Sequence, residues 1–316
     1  MNLSESTRRI IWDLVVNYQT YFSFILFGVG FLFYLNRGQL SSLVNKFINQ
    51  SEKFSPLSKY SILKMTFFAL LFVLYIISNS HFHFSLSIKF VLSSLYLTLV
   101  LFFCEKEISC FFTAHPSING IKKQIWKNTI FCWCTTTIIV VPAIWVYHLF
   151  NVPFNAQGLG NLPDVSIGRW IEINVYGIPN VVSEEIFNLL ILLIFSSLLA
   201  KLKRPLALIV SAILMSVVFG LLHIFAWNPV TAISIFLSHI TIALFFIYIR
   251  DIKPLILCHI INNLIATSVI TGMSVLIKPF ILLPLTIPIL YWFVLEQIHT
   301  VWKMKKEKSV AFFENK

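Results

Sequence analysis

Runs of apolar residues long enough to cross a hydrocarbon layer, roughly 17–25 residues each, recur near 20–35, 61–79, 88–104, 128–150, 179–200, 206–226, 230–249, 255–275 and 279–298. The pattern predicts an all-α fold, a polytopic transmembrane helical bundle of about 8–9 membrane spans. The first run is short. Lys64 and Lys89 interrupt the second and third near their ends, where their ammonium groups are expected to snorkel to an interface.

Composition agrees with that pattern. The chain has 316 residues, 58% of them hydrophobic and 12% charged, and a mean hydropathy of +0.83, beyond the range of ordinary soluble domains. One integral membrane domain over 1–316 is expected, without internal repeats or low-complexity tracts. The first twenty residues include Glu5, Arg8, Arg9 and Asp13 and lead to no small-residue cleavage site, so the first apolar segment is expected to be retained.

The net charge of +11 is a topology signal and not a nucleic-acid one, because Lys and Arg cluster in short loops beside apolar runs. Loops 36–60, 105–127, 201–205 and 250–254 and the C-terminal tail carry them, while loops 80–87, 151–169 and 227–229 are nearly free of them. The expected orientation has the N-terminus outside and the C-terminus in the cytoplasm. Abundant Phe, Ile, Leu, Lys and Asn with little Gly or Ala suits an AT-rich genome and a bacterial plasma membrane. The five cysteines are scattered, Cys132-x-Cys134 has neither zinc nor thioredoxin spacing, and all five are expected to be reduced.

Against this apolar background a few polar residues stand out. Glu184 and Glu185 sit in tandem in an otherwise apolar run, His223 closes Phe219-Gly-Leu-Leu-His223, and His259 and Asn263 lie one turn apart on another run. A carboxylate inside a membrane helix costs roughly 2.5–3.5 kcal/mol by insertion scales, which makes it a functional-site candidate with a partner to be found. Three helices thus offer polar faces to one interior. Loop 151–169 reads as irregular, Gly177 and Pro179 are expected to break or kink the entry to the acidic helix, and Ser183 to cap it or bond back to it. The bland alternative places both acids at the interfacial start of a helix, where the dipole favours them. His239, central in its own span, is assigned to interhelical hydrogen bonding.

A carboxylate and an imidazole converging from different helices can deprotonate a water and later protonate a leaving amine, which is peptide hydrolysis. Asn263 is a candidate donor to the developing oxyanion. No cofactor is expected. Zinc is the alternative, held by Glu184, His223 and His259, but no HExxH helix is present. A proton-coupled transporter, with the same acids and histidines as a relay, is a rival reading.

The order Glu-Glu, Phe-x-x-x-His and His-x-x-x-Asn on successive apolar runs resembles the CPBP family, the CAAX protease and bacteriocin-processing (Abi) intramembrane endopeptidases. The resemblance covers roughly 175–275. It implies that Glu184 activates water with Glu185 beside it, that His223 and His259 assist, and that Asn263 holds the oxyanion. It also implies a peptide or a lipid-modified, membrane-bound protein precursor as substrate, with membrane lipids as surroundings and no nucleic acid. The family pattern Glu-Glu-x-x-x-Arg has Leu189 at its last position here. Glu185 is therefore expected to be protonated or to turn toward Asn188, and a catalytically lapsed relative acting in bacteriocin immunity, or as a binding partner, is the alternative.

Overall fold

The computed structural model describes residues 39–112, 165–226 and 229–270, with scattered helical positions between 125 and 136. Among the described residues every regular element is helical. In chain order these are α1 (Gln39–Ser51), α2 (Lys59–Phe82), α3 (Leu86–Phe103), the single turn α4 (Glu105–Ile108) followed by a 3₁₀ turn (Ser109–Phe111), α5 (Ile167–Leu198), α6 (Arg204–Ala226), α7 (Pro229–Ile249) and α8 (Lys253–Ile270). Four of them, α2, α3, α5 and α6, are long and apolar enough to cross a membrane, and α7 adds the shorter apolar stretch Ile235–Ile249. The spans expected at 20–35 and 279–298, and most of 128–150, lie outside the described residues.

Three helices start at a serine for the same reason. Ser58, Ser85 and Ser166 hold extended backbone, and each side-chain oxygen accepts the N–H three residues on, from Ser61, Ile88 and Arg169, that would otherwise be an orphan of the first turn. The last of these caps sets the site. It starts α5 at Ile167, twelve residues before the expected 179, so the end of the supposedly irregular loop is already helix.

The helix then runs through Gly177 and Pro179 without ending. Proline is tolerated inside a membrane helix where neighbouring groups satisfy the freed backbone. Because Ile167 is the first residue, Glu184 and Glu185 lie near the middle of α5 and not at an interfacial start. Ser183 caps nothing here. Its hydroxyl donates to the backbone carbonyl of Ser93 on α3 at 3.2 Å.

From Val181 onward α5 is buried on nearly every side, because it packs against α2, α3, α6 and α8. Phe187 stacks on Phe72 of α2 at 4.8 Å between ring centroids, and Leu190, Leu208 and Ile247 fill the space toward α6 and α7. Such a helix, buried on nearly every face and largely apolar, belongs at the centre of a bundle. The α6–α7 pair is close because Gly220 has no side chain: a Cβ there would stand 3.0 Å from Phe236 Cβ and 3.1 Å from the Ala232 carbonyl oxygen.

The Lys- and Arg-bearing loops gather at one end of this bundle. Leu57 N–H donates to Ser197 Oγ at 2.9 Å, Ile252 N–H to the Phe111 carbonyl at 3.1 Å, and the Arg250 guanidinium lies over the ring of Phe54 at 5.3 Å. Lys64, expected to snorkel, instead meets Glu107 of α4, with its ammonium 2.8 Å from one carboxylate oxygen. Among the described residues Cys104, Cys132 and Cys258 are free thiols; Cys134 lies outside the described residues.

Candidate active site

The site forms where the middle of α5 meets α8. Glu184 and Glu185 are adjacent, so their side chains leave the helix about 100° apart, and the His259 imidazole reaches both. Its Nδ1 lies 2.7 Å from Glu185 Oε1, and its Nε2 lies 3.5 Å from Glu184 Oε2. Both acids are buried, Glu185 with 2% of its surface exposed and Glu184 with 9%. A single ring thus connects two carboxylates inside the bundle.

The two acids differ in what else they touch. Glu184 Oε1 accepts a hydrogen bond of 2.5 Å from Asn180 Nδ2, one turn earlier on α5. Asn180 is held in turn by α2 and α3: its Oδ1 accepts from the Tyr75 hydroxyl at 3.0 Å, and Ser93 Oγ donates to that hydroxyl at 3.1 Å. Glu185 has His259 for a partner. It does not turn to Asn188, whose two amide atoms are buried without a hydrogen-bond partner among the described residues. Leu189, at the family's Arg position, is buried beside them.

His223 and His239 approach the same interior from α6 and α7, with Phe219 against both. The Phe219 ring centroid is 4.5 Å from that of His223 and 4.0 Å from that of His239. Each histidine uses Nδ1 toward its own helix, at 2.8 Å from the Phe219 carbonyl and 3.0 Å from the Ile235 carbonyl. A carbonyl only accepts, so each Nδ1 carries a proton. Asn263 follows His259 by one turn on α8 and is half-buried; its backbone carbonyl accepts from Thr267 Oγ1 at 2.8 Å.

The structure therefore brings Glu184, Glu185 and His259 into direct contact, with His223 on the ring of Phe219 and Asn263 one turn along α8. It also adds His239, which the motif pattern passed over. The His239 ring lies 6.2 Å from the His259 ring, and its Nε2 is buried without a hydrogen-bond partner among the described residues. A polar side chain in the middle of an apolar span was the available signal, the same one that singled out Glu184. His115, His148 and His299 fall outside the described residues.

One stretch of the chain has a counterpart among known families. Residues 166–265 match the family model described as type II CAAX prenyl endopeptidase Rce1-like. The matched stretch runs from the cap of α5 into α8 and contains Glu184, Glu185, His223, His239, His259 and Asn263. The match is a similarity of that stretch alone, and among the described residues four helices are long and apolar enough to cross a membrane. No curated protein and no solved structure matches the chain.

Proposed function

We propose that the protein is an intramembrane endopeptidase that cleaves a peptide or a lipid-modified, membrane-bound protein precursor, with 175–275 as the catalytic core of a single membrane domain. The observation that carries this reading is the His259 ring between Glu184 and Glu185, buried at mid-helix within the matched core. Glu184 is the general base. It takes a proton from water as the water oxygen adds to the peptide carbonyl carbon, and Asn263 donates a hydrogen bond to the carbonyl oxygen as it becomes negative. The C–N bond then breaks, and the proton passes to the departing amine. His259, tied to Glu185, and His223 steer that proton.

Leu189 leaves Glu185 without the family's arginine, which is the reason to consider a lapsed enzyme. The 2.7 Å contact with His259 gives Glu185 another charged or hydrogen-bonding partner and so speaks for retained chemistry. In the membrane, the clustering of the basic loops at one end supports an orientation with that end, and the C-terminus, in the cytoplasm. The composition favours a bacterial plasma membrane.

The test is a cleavage assay in proteoliposomes, with membrane-anchored peptide libraries offered to wild-type protein and to Glu184→Gln. Cleavage by the wild type and a loss of roughly 10²-fold or more in the variant is the expected result. Capture of a peptide by both proteins with cleavage by neither would support the binding-protein reading instead.

A further inference from the structure

Helix α1 has no counterpart among the expected spans, because Gln39–Ser51 falls in the stretch 36–60 that the charge pattern reads as a loop. Its 13 residues cover about 20 Å, short of the roughly 30 Å of a hydrocarbon layer. Its direction follows from its neighbours. The Lys46 ammonium stands 4.2 Å from the centroid of the Tyr248 ring, in the last turn of α7, and Glu52, just past α1, acts on the charge of Arg204, the first residue of α6. Helices α6 and α7 are packed together and joined by a short turn, so they run antiparallel and these two points share one level. The stretch between Lys46 and Glu52 is about 9 Å long, the usual spacing of two packed helices. Helix α1 therefore runs across the basic end of the α6–α7 pair and not along it.

Around α1 the side chains divide three ways. Phe47 packs against the core and Ser51 is buried, which fixes the side that faces protein. Val44 and Ile48, one turn apart beside them, are 50% and 40% exposed, where a helix surrounded by water would carry polar residues. Asn45 and Asn49 are exposed on the far side. A helix lying at the boundary between water and hydrocarbon has this division. The apolar surface continues onto α6, where Leu206, two residues beyond Arg204, is half-exposed. The polar rim is cationic: Lys46, Lys53, Lys201 and Lys203 are exposed, with Glu52 as the acid beside them. Arg204 Nε and Nη2 and Arg250 Nε, at the same end, have no hydrogen-bond partner among the described residues.

We propose that α1 is an in-plane interfacial helix, with Val44 and Ile48 seated among lipid chains, and that the cationic rim between α1 and the α5–α6 turn binds the phosphates of anionic phospholipids. The occupant is lipid because α6, which is long and apolar enough to cross a membrane, begins at this level, and because the exposed apolar face of α1 is continuous with that of α6. The charge of the rim selects anionic headgroups over zwitterionic ones. Nothing in this inference depends on catalysis.

Full-length protein in proteoliposomes tests both parts. With the native cysteines replaced, Val44→Cys, Asn45→Cys, Ile48→Cys and Asn49→Cys are each given a nitroxide, and power saturation compares oxygen with a water-soluble nickel chelate. The labels at Val44 and Ile48 should be relaxed mainly by oxygen, and those at Asn45 and Asn49 mainly by nickel. Equal access of nickel to all four would place α1 in water, and protection of Val44 and Ile48 from both reagents would mean that another part of this chain or a second copy covers them; either result overturns the interfacial helix. The second measurement uses protein with its own cysteines, so it stands even if the replaced background does not fold. Spin-labelled phosphatidylglycerol should associate with it about fivefold more strongly than spin-labelled phosphatidylcholine, the worth of about one surface lysine in an anionic leaflet. Lys46→Gln, Lys53→Gln, Lys201→Gln and Lys203→Gln combined should abolish that preference, with thermal unfolding checking that the variant is folded. Equal association of the two lipids with the wild type, or a preference that the combined variant keeps, overturns the lipid site.

Discussion

His259 Nδ1 lies 2.7 Å from Glu185 Oε1, so the second acid of the pair, not the first, is the principal partner of the histidine. The arginine position of the family motif is Leu189, from which Glu185 would be expected to matter less than Glu184. The contact gives Glu185 a partner of its own, so the two acids are expected to matter alike. Glu185→Gln and Glu184→Gln should each lower kcat by roughly 10²-fold or more, and the double variant by much less than the product of the two. A double-mutant cycle on kcat in proteoliposomes measures the coupling. Independent effects would mean that His259 does not join the acids into one unit.

Asn180 tests whether Glu184 must be held in place. Its amide donates to Glu184 and is itself held by Tyr75 and Ser93. Asn180→Ala removes a hydrogen bond to a charged or chargeable group, about 1.5–3 kcal/mol, so kcat should fall between roughly ten- and a hundredfold with KM little changed. Tyr75→Phe, which removes only the support of Asn180, should lower kcat by less. Steady-state kinetics on a membrane-anchored peptide separates the two parameters, and a change confined to KM would place Asn180 in substrate binding.

Outside the membrane-spanning segments, Glu107 gives a pH signature. Burial acts to raise its pKa, but hydrogen bonds from Lys64 and Ser61 and the Lys64 charge outweigh that, and the carboxyl is held below its ordinary range. A depressed folded pKa stabilises the fold above the unfolded value, about 4.3, and the benefit disappears as pH falls through the folded value. Wild type should therefore exceed Glu107→Gln by roughly 1–3 kcal/mol from neutral pH down to about 5, with the gap closing below about 4. Thermal unfolding of both proteins across that range reads it. A gap that widened in acid would have the wrong sign.

Orientation is open to labelling in intact cells. In a background with its native cysteines replaced, a cysteine at Gly160 should react with a membrane-impermeant maleimide, and one at Lys201 only after permeabilisation. The reverse pattern would turn the basic end of the bundle outward.

Much of this protein is legible along the chain. Long apolar runs in a hydrocarbon solvent must satisfy their own backbone bonds, so they become helices, and the described α2, α3, α6 and α7 follow the expected runs to within a few residues. Glu184, Glu185, His223, His259 and Asn263 were visible because polar groups are rare and costly in such runs. The start of α5 was misplaced because Pro179 and Gly177 are local signals, whereas the Ser166 cap and the surrounding helices decide where the helix begins. Only the tertiary structure paired His259 with Glu185, fixed Asn180 against Tyr75, and brought His239 near Glu185 and His259. Those contacts depend on the rotation of each helix about its axis and on the close approach that Gly220 permits between α6 and α7. Packing between helices distant in sequence determines both, and the hydrophobic period of nearly uniform apolar runs carries no record of it.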